Sequence, residues 1–144
     1  DMRTVGVERS ETPMARSEVW PAYMHPTAGV QATARDLAAW VIALQNGRLV
    51  SQAGLEQLWT PQQLPDGSYR GFNNIINGYG LGWPSIRRAE HPAITPTGGD
   101  RATIFIYPED DLTVIVLTNL MGAGPQKFVD KIASQYIPDL AVEN

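Results

Sequence analysis

The residues best suited to chemistry are Thr97, Gly98 and Gly99, set just ahead of a strongly β-prone run from Ala102 to Tyr107. A hydroxyl and two glycines at the mouth of a strand leave the main chain approachable, because no Cβ blocks it. Main-chain N–H groups in such a place can hold a carboxylate, or stabilise a carbonyl oxygen as negative charge builds on it. Ordinary turns contain the same triplet, so the triplet alone does not define a reaction.

Other reactive groups are scarce. No serine has a lysine three positions later. The nearest pattern, Ser85-Ile86-Arg87-Arg88, ends in a group that stays protonated and cannot act as a base. There is no Gly-x-Ser-x-Gly elbow and no cysteine, so covalent catalysis has no candidate within these residues. His25 and His91 are far apart, each is followed by proline, and neither has a second ligand at metal spacing. Both read as loop or packing histidines, and no metal or cofactor is expected. Glu109, Asp110 and Asp111 read as a solvated hairpin turn. The two glycines of Tyr79-Gly80-Leu81-Gly82-Trp83 lack the third glycine and the following helix of a dinucleotide fingerprint.

The elements that must position Thr97 to Gly99 follow from periodicity. Ala102 to Tyr107 and Leu112 to Asn119 flank the turn Pro108 to Asp111 and form a hairpin. The second run is apolar almost without alternation, which predicts a strand covered on both faces. Thr33 to Asp36 resembles a capping box and opens a helix with Leu37, Trp40, Val41 and Leu44 on one face, stopped at Asn46-Gly47. Ser51 caps a second, short helix that ends before Pro61. Leu64 to Asn77 reads as a long surface loop, Tyr79 to Trp83 as a strand, and Ile86 to Ala93 as a short strand or its connection. Pro125 starts a C-terminal helix whose apolar face is Phe128, Val129, Ile132 and Tyr136. Asp1 to Pro26 reads as irregular wrapping, with Thr4 to Val7 as a possible short strand and Trp20 and Tyr23 pinning it to the core. Helices, an antiparallel meander and a closing helix make an α+β fold, an antiparallel sheet flanked by helices, with no internal boundary across residues 1–144.

Bulk properties narrow the partners. A net charge of −4 without a basic block argues against nucleic acid or an anionic membrane as the main partner. No apolar run is long enough to cross a bilayer. The first residue is Asp1 and no signal-peptide pattern follows, which suggests a processed chain or an excised piece.

Four segments, in order, resemble the β-lactamase-related serine hydrolases, the superfamily of β-lactamases, D-alanyl-D-alanine peptidases and related esterases. They are Pro26 to Trp40, Tyr79 to Trp83, Thr97-Gly98-Gly99, and Tyr107 to Asn119. The resemblance covers the C-terminal part of that fold only. Of the family's three motifs, Ser-x-x-Lys and Tyr-x-Asn or Ser-x-Asn would lie before Asp1, and the third, Lys-Thr-Gly or His-Thr-Gly, aligns with Pro96-Thr97-Gly98. By that match Thr97 contacts the substrate, Gly98 leaves room beside it, and the Gly99 amide supplies half of the oxyanion hole. Pro96 stands where the family has a cationic or imidazole side chain, and it offers neither charge nor N–H.

The resemblance implies the C-terminal part of a serine hydrolase that cleaves a small-molecule ester or amide through an acyl-enzyme in a longer parent, with this chain inactive alone. The alternative is a non-catalytic binding or interaction module built on the same fold. Tyr79 and Trp83 are expected in the core. The outer edge of Leu112 to Thr118 is expected to pair with a second chain, with the missing N-terminal part, or with residues near Val5 folding back. Family members are often exported or periplasmic in bacteria; the compartment of this chain is not legible.

Overall fold

The computed structural model describes residues 3–7, 15–19, 21–24, 30–99, 101–120 and 122–140. Strands β1 (Arg3–Val7) and β2 (Ala15–Val19) form an antiparallel pair of their own. Helices α1 (Ala34–Gln45) and α2 (Gln52–Trp59) follow. The six-stranded sheet comprises β3 (Gly78–Tyr79), β4 (Pro84–Ile86), β5 (Ala93–Ile94), β6 (Thr97–Gly98), β7 (Ala102–Tyr107) and β8 (Leu112–Leu117). A 3-10 turn at Pro125–Lys127 leads into α3 (Val129–Ala133).

The sheet is an antiparallel meander, and β6 is the continuation of β5 along β7. Ile94 lies opposite Ile106, Thr97 opposite Thr103 and Gly98 opposite Ala102, so the register runs unbroken through Thr95 and Pro96. On its other side β7 pairs with β8 from Ala102–Leu117 to Tyr107–Leu112. Alternation along β7 then divides two cores. Phe105 and Tyr107 pack with Val114, Val129, Ala133 and Ile137 on the α3 face. Ile104 and Ile106 pack with Ile94 and Val41 on the α1 face, joined by Leu37, Trp59 and Trp83. Strand β8 meets a core on each face, with Leu112, Val114 and Val116 on the α3 side and Ile115 on the α1 side, but only Val114 is fully buried and Leu117 is exposed, so its composition overstates its covering. Helices lie on both sides of an antiparallel sheet, which is the expected α+β architecture.

Local sequence explains the helix starts. The Thr33 hydroxyl accepts from the Asp36 amide at 3.1 Å, and the Asp36 carboxylate accepts from the Thr33 amide at 3.1 Å and hydroxyl at 2.8 Å. These bonds, the hydroxyl's first, hold the Asp36 carboxyl below its ordinary range. The Ser51 hydroxyl accepts from the Gly54 amide in the same way.

Several expectations need correction. Of the Tyr79 to Trp83 stretch only Tyr79 lies in a strand, the end of β3; Gly80 to Trp83 is a tight turn into β4, closed by the Gly80 amide on the Trp83 carbonyl, with Gly82 at φ +82. A Cβ on Gly80 would collide with the Leu58 carbonyl oxygen, so the close packing anticipated for these glycines holds at Gly80, against α2, and not at Gly82, where the space is open. The buried positions at the C-terminus are Val129, Ala133 and Ile137, whereas Phe128, Ile132 and Tyr136 are exposed; the helix presents the row that starts at Val129. Tyr23 is 79% exposed and pins nothing. Trp20 lies outside the described residues. Val5 sits opposite Ser17 in the β1–β2 pair, so this segment does not fold back on β8. Among the described residues β8 pairs with β7 alone.

A polar knot ties the sheet to α3. The Tyr107 hydroxyl donates to Asp130 Oδ1 at 2.6 Å, and Arg88 Nη1 donates to Asp130 Oδ2 at 2.8 Å. Burial of the ring, reinforced by the Asp130 carboxylate, pushes the phenol's pKa well above its ordinary value. Below about pH 10 the phenol is neutral both folded and unfolded, and its contribution is intact. Above that, only the unfolded chain gives up the proton, so stability falls as pH rises. Tyr107→Phe should cost about 2 kcal/mol at neutral pH and flatten the decline in urea midpoint between roughly pH 9 and 11. Gly80→Ala should cost about 1–3 kcal/mol by forcing α2 and the turn apart, read as a lower urea midpoint.

Candidate active site

Thr97 and Gly98 form the end of a strand whose outer edge has no partner strand among the described residues, and Gly99 follows in the turn. In an antiparallel ladder, hydrogen-bonding groups alternate between the two neighbours. The Ile104 amide donates to the Pro96 carbonyl at 2.9 Å, which assigns even-numbered residues here to β7. The Thr95 amide donates to the Pro84 carbonyl at 2.8 Å, which assigns odd-numbered residues to β4. Strand β4 begins at Pro84, opposite Thr95, and the chain before it turns away through Gly80 to Trp83. The Thr97 amide therefore points out of the sheet, on the edge that β4 has left.

Gly99 continues from that edge into the turn, with φ +58, a conformation that favours glycine. The turn closes where the Arg101 amide donates to the Gly98 carbonyl at 3.2 Å. Nothing lies within 4 Å of where a Cβ on Gly98 would stand. Gly98 and Gly99 are exposed, and Pro96 and Thr97 are half-buried. The result is a stretch of bare, outward-facing main chain beside one hydroxyl, seated on the rigid strand β7. Such an edge can align an extended acyl group and present N–H donors to its carbonyl.

Thr97 shares a sheet face with two buried threonines. Thr103 lies directly across from it, and Thr95 two residues before it. Both are essentially without solvent exposure, and neither hydroxyl has a hydrogen-bond partner. Arg101, which the motif does not foretell, reaches alongside the turn: its Nε is 3.9 Å from where a Cβ on Gly99 would stand. The only hint in sequence is its place two residues beyond Gly99, at the far side of a tight turn.

The remaining candidates lie elsewhere. His91, at φ +53, accepts the Arg88 Nε–H on its carbonyl at 2.7 Å and sets Nδ1 2.7 Å from Asp110 Oδ1, at the opposite end of β7 from Thr97. The acidic turn is thus partly engaged in packing, not wholly solvated. His25 lies outside the described residues, within which no group of three His, Cys, Asp or Glu could hold a metal. Trp83 is packed as expected: it stacks on Trp40 with centroids 6.0 Å apart and meets Trp59 edge-on at 6.0 Å. Tyr79 is not core. It is 37% exposed and meets the ring of Phe72 at 5.4 Å.

No curated protein matches the chain. Among solved structures, that of a penicillin binding protein from Bacillus halodurans aligns with a TM-score of 0.58 at 15% identity, over 89% of this chain. At that identity the likeness shows the fold, and the chain spans 39% of that protein's length. The family model described as Beta-lactamase matches residues 2–136. The chain belongs to the beta-lactamase family.

Proposed function

We propose that this chain is the substrate-lining part of a serine hydrolase, whose nucleophile and base lie in a longer parent polypeptide. The observation that carries this reading is the open strand edge at Thr97 to Gly99, with an outward amide and no side chain over Gly98. An ester or amide substrate would lie along this edge with its carbonyl oxygen toward the Gly99 N–H. That donor, paired with one from the nucleophile's own segment, would stabilise the oxygen as the serine adds to the carbonyl. The Thr97 hydroxyl would bond a polar group of the substrate, and water would then release the acyl group. Pro96 brings no cation to its position, which favours substrates without an acidic group there, such as simple esters.

The outer edge of β8 would be covered by the rest of the parent, or by a second copy of this chain. Either partner would satisfy its main-chain groups. A second reading has its own support. No Ser-x-x-Lys and no Tyr-x-Asn or Ser-x-Asn occurs in the 144 residues, so the polypeptide as it stands fits a non-catalytic binding module of the same fold.

A fluorophosphonate probe separates the readings. The 144-residue chain should remain unlabelled, and the parent polypeptide should take one label at a single serine upstream of residue 1. Stoichiometric labelling of a serine within this chain would overturn the half-site. An unlabelled, folded parent would favour the binding module. In the parent, Gly98→Val should slow acylation roughly hundredfold by displacing the acyl group from the edge. In the 144-residue chain the same substitution should leave the thermal midpoint close to that of the unaltered chain, because nothing lies within 4 Å of a Cβ at Gly98.

A further inference from the structure

On the α3 face, remote from the Thr97 edge, a cavity of about 300 Å³ opens between the β3–β4 side of the sheet and the start of α3. Four of the chain's 11 lysines and arginines line it, Arg87, Arg88, Lys127 and Lys131, against a single carboxylate, Asp130. That carboxylate is already committed: Arg88 holds one oxygen at 2.8 Å and Tyr107 the other at 2.6 Å. The remaining three cations have no carboxylate within ion-pair distance among the described residues. Arg87 lies over the Tyr69 ring at 3.4 Å, a contact that orients the guanidinium without neutralising it. Its main chain is clamped by Asn77, which accepts from the Arg87 amide at 2.7 Å and donates to its carbonyl at 3.1 Å.

Like charge gathers at the mouth of the cavity, where the side chains of Arg87, Lys127 and Lys131 are exposed. Lys127 and Lys131 are four residues apart where the 3-10 turn enters α3, and like charges at that spacing repel. The chain as a whole is acidic, so the cations are concentrated here against its average. The floor is apolar, built on Ile75 and the buried Ile86. A neighbouring hollow of about 500 Å³ shares Asn74, Ile75, Gln126 and Lys127 with the cavity and extends it. A cavity at the lower end of ligand-site volumes suits a small molecule and not a polymer.

We propose that this cavity is a binding site for a small soluble amphiphile. Its anionic headgroup, a carboxylate or phosphate monoester, lies among Arg87, Lys127 and Lys131, and its apolar body lies over Ile75 and Ile86. The site is separate from the Thr97 edge and does not depend on the reaction proposed there.

Titration of the 144-residue chain, followed by amide chemical shifts, tests the assignment with octyl phosphate, inorganic phosphate, octyl glucoside and vesicles of phosphatidylglycerol. Octyl phosphate should saturate, with shifts centred on Ile75, Arg87, Lys127 and Lys131. Inorganic phosphate and octyl glucoside should each bind at least about tenfold more weakly, since each lacks half of the recognition. The Lys127→Gln/Lys131→Gln double variant should weaken octyl phosphate about tenfold, with its thermal midpoint retained because both side chains are exposed. Equal affinity for inorganic phosphate, or affinity unchanged in the double variant, would overturn the proposal. Sedimentation with the vesicles in preference to octyl phosphate would also overturn it, by making this face a membrane-lipid contact.

Discussion

The burial of β7 on both faces is the constraint on which the rest of this structure depends. Phe105, Ile106 and Tyr107 have no solvent exposure, and consecutive side chains along the strand enter different cores. A shift by one residue would exchange the two sets and place Thr103 and Phe105 where Ile104 and Ile106 belong. The register against β5, β6 and β8 is therefore tightly held, and the positions of Thr97 and Gly98 are set by it. The site is formed by main chain, whose placement is as good as the register that fixes it. No long side chain has to be ordered to make it.

Much of this frame was readable in the residues. The uniform apolar run from Leu112 to Leu117 announces a strand with a core on each face, and the Thr33 and Ser51 caps mark helix starts through bonds that need no tertiary context. Sequence and structure part where tertiary packing chooses among equivalent local options. Near the C-terminus, two overlapping apolar rows are present at helical spacing, and only contact with Phe105 and Tyr107 selects the row beginning at Val129. The segment from Ala15 to Val19 carries Arg16, Ser17 and Glu18 and lacks the composition of a strand, yet it pairs with β1. Tyr79 to Trp83 has a strand's alternation, but its glycines serve a turn pressed against α2.

The site was legible as a motif and not as a geometry. Thr97-Gly98-Gly99 stands out by composition, but that its outer edge is free depends on where β4 begins. The Arg88, Asp130 and Tyr107 knot joins residues up to 42 positions apart, and no local pattern foretells it. The same is true of the cationic cavity, since Arg87 and Lys131 become neighbours only once α3 is docked. Charge counted along the chain reads as mildly acidic, whereas charge mapped onto the folded surface has a basic hollow.

Two prolines in adjacent strands, Pro84 and Pro96, give the sheet a property that its topology alone would not. Each takes a ladder position from which it cannot donate, so the Thr95 carbonyl facing Pro84 and the Ile104 carbonyl facing Pro96 each lack a rung. Beyond these gaps Thr97 and Gly98 are held to β7 by two residue pairs and a glycine turn. The missing rungs form a crease across the sheet. On one side of it the hydrophobic cores enforce rigidity. On the other, the Thr97–Gly98 tip depends on two residue pairs where β7 and β8 share six, and segments with few main-chain bonds are the first to open locally.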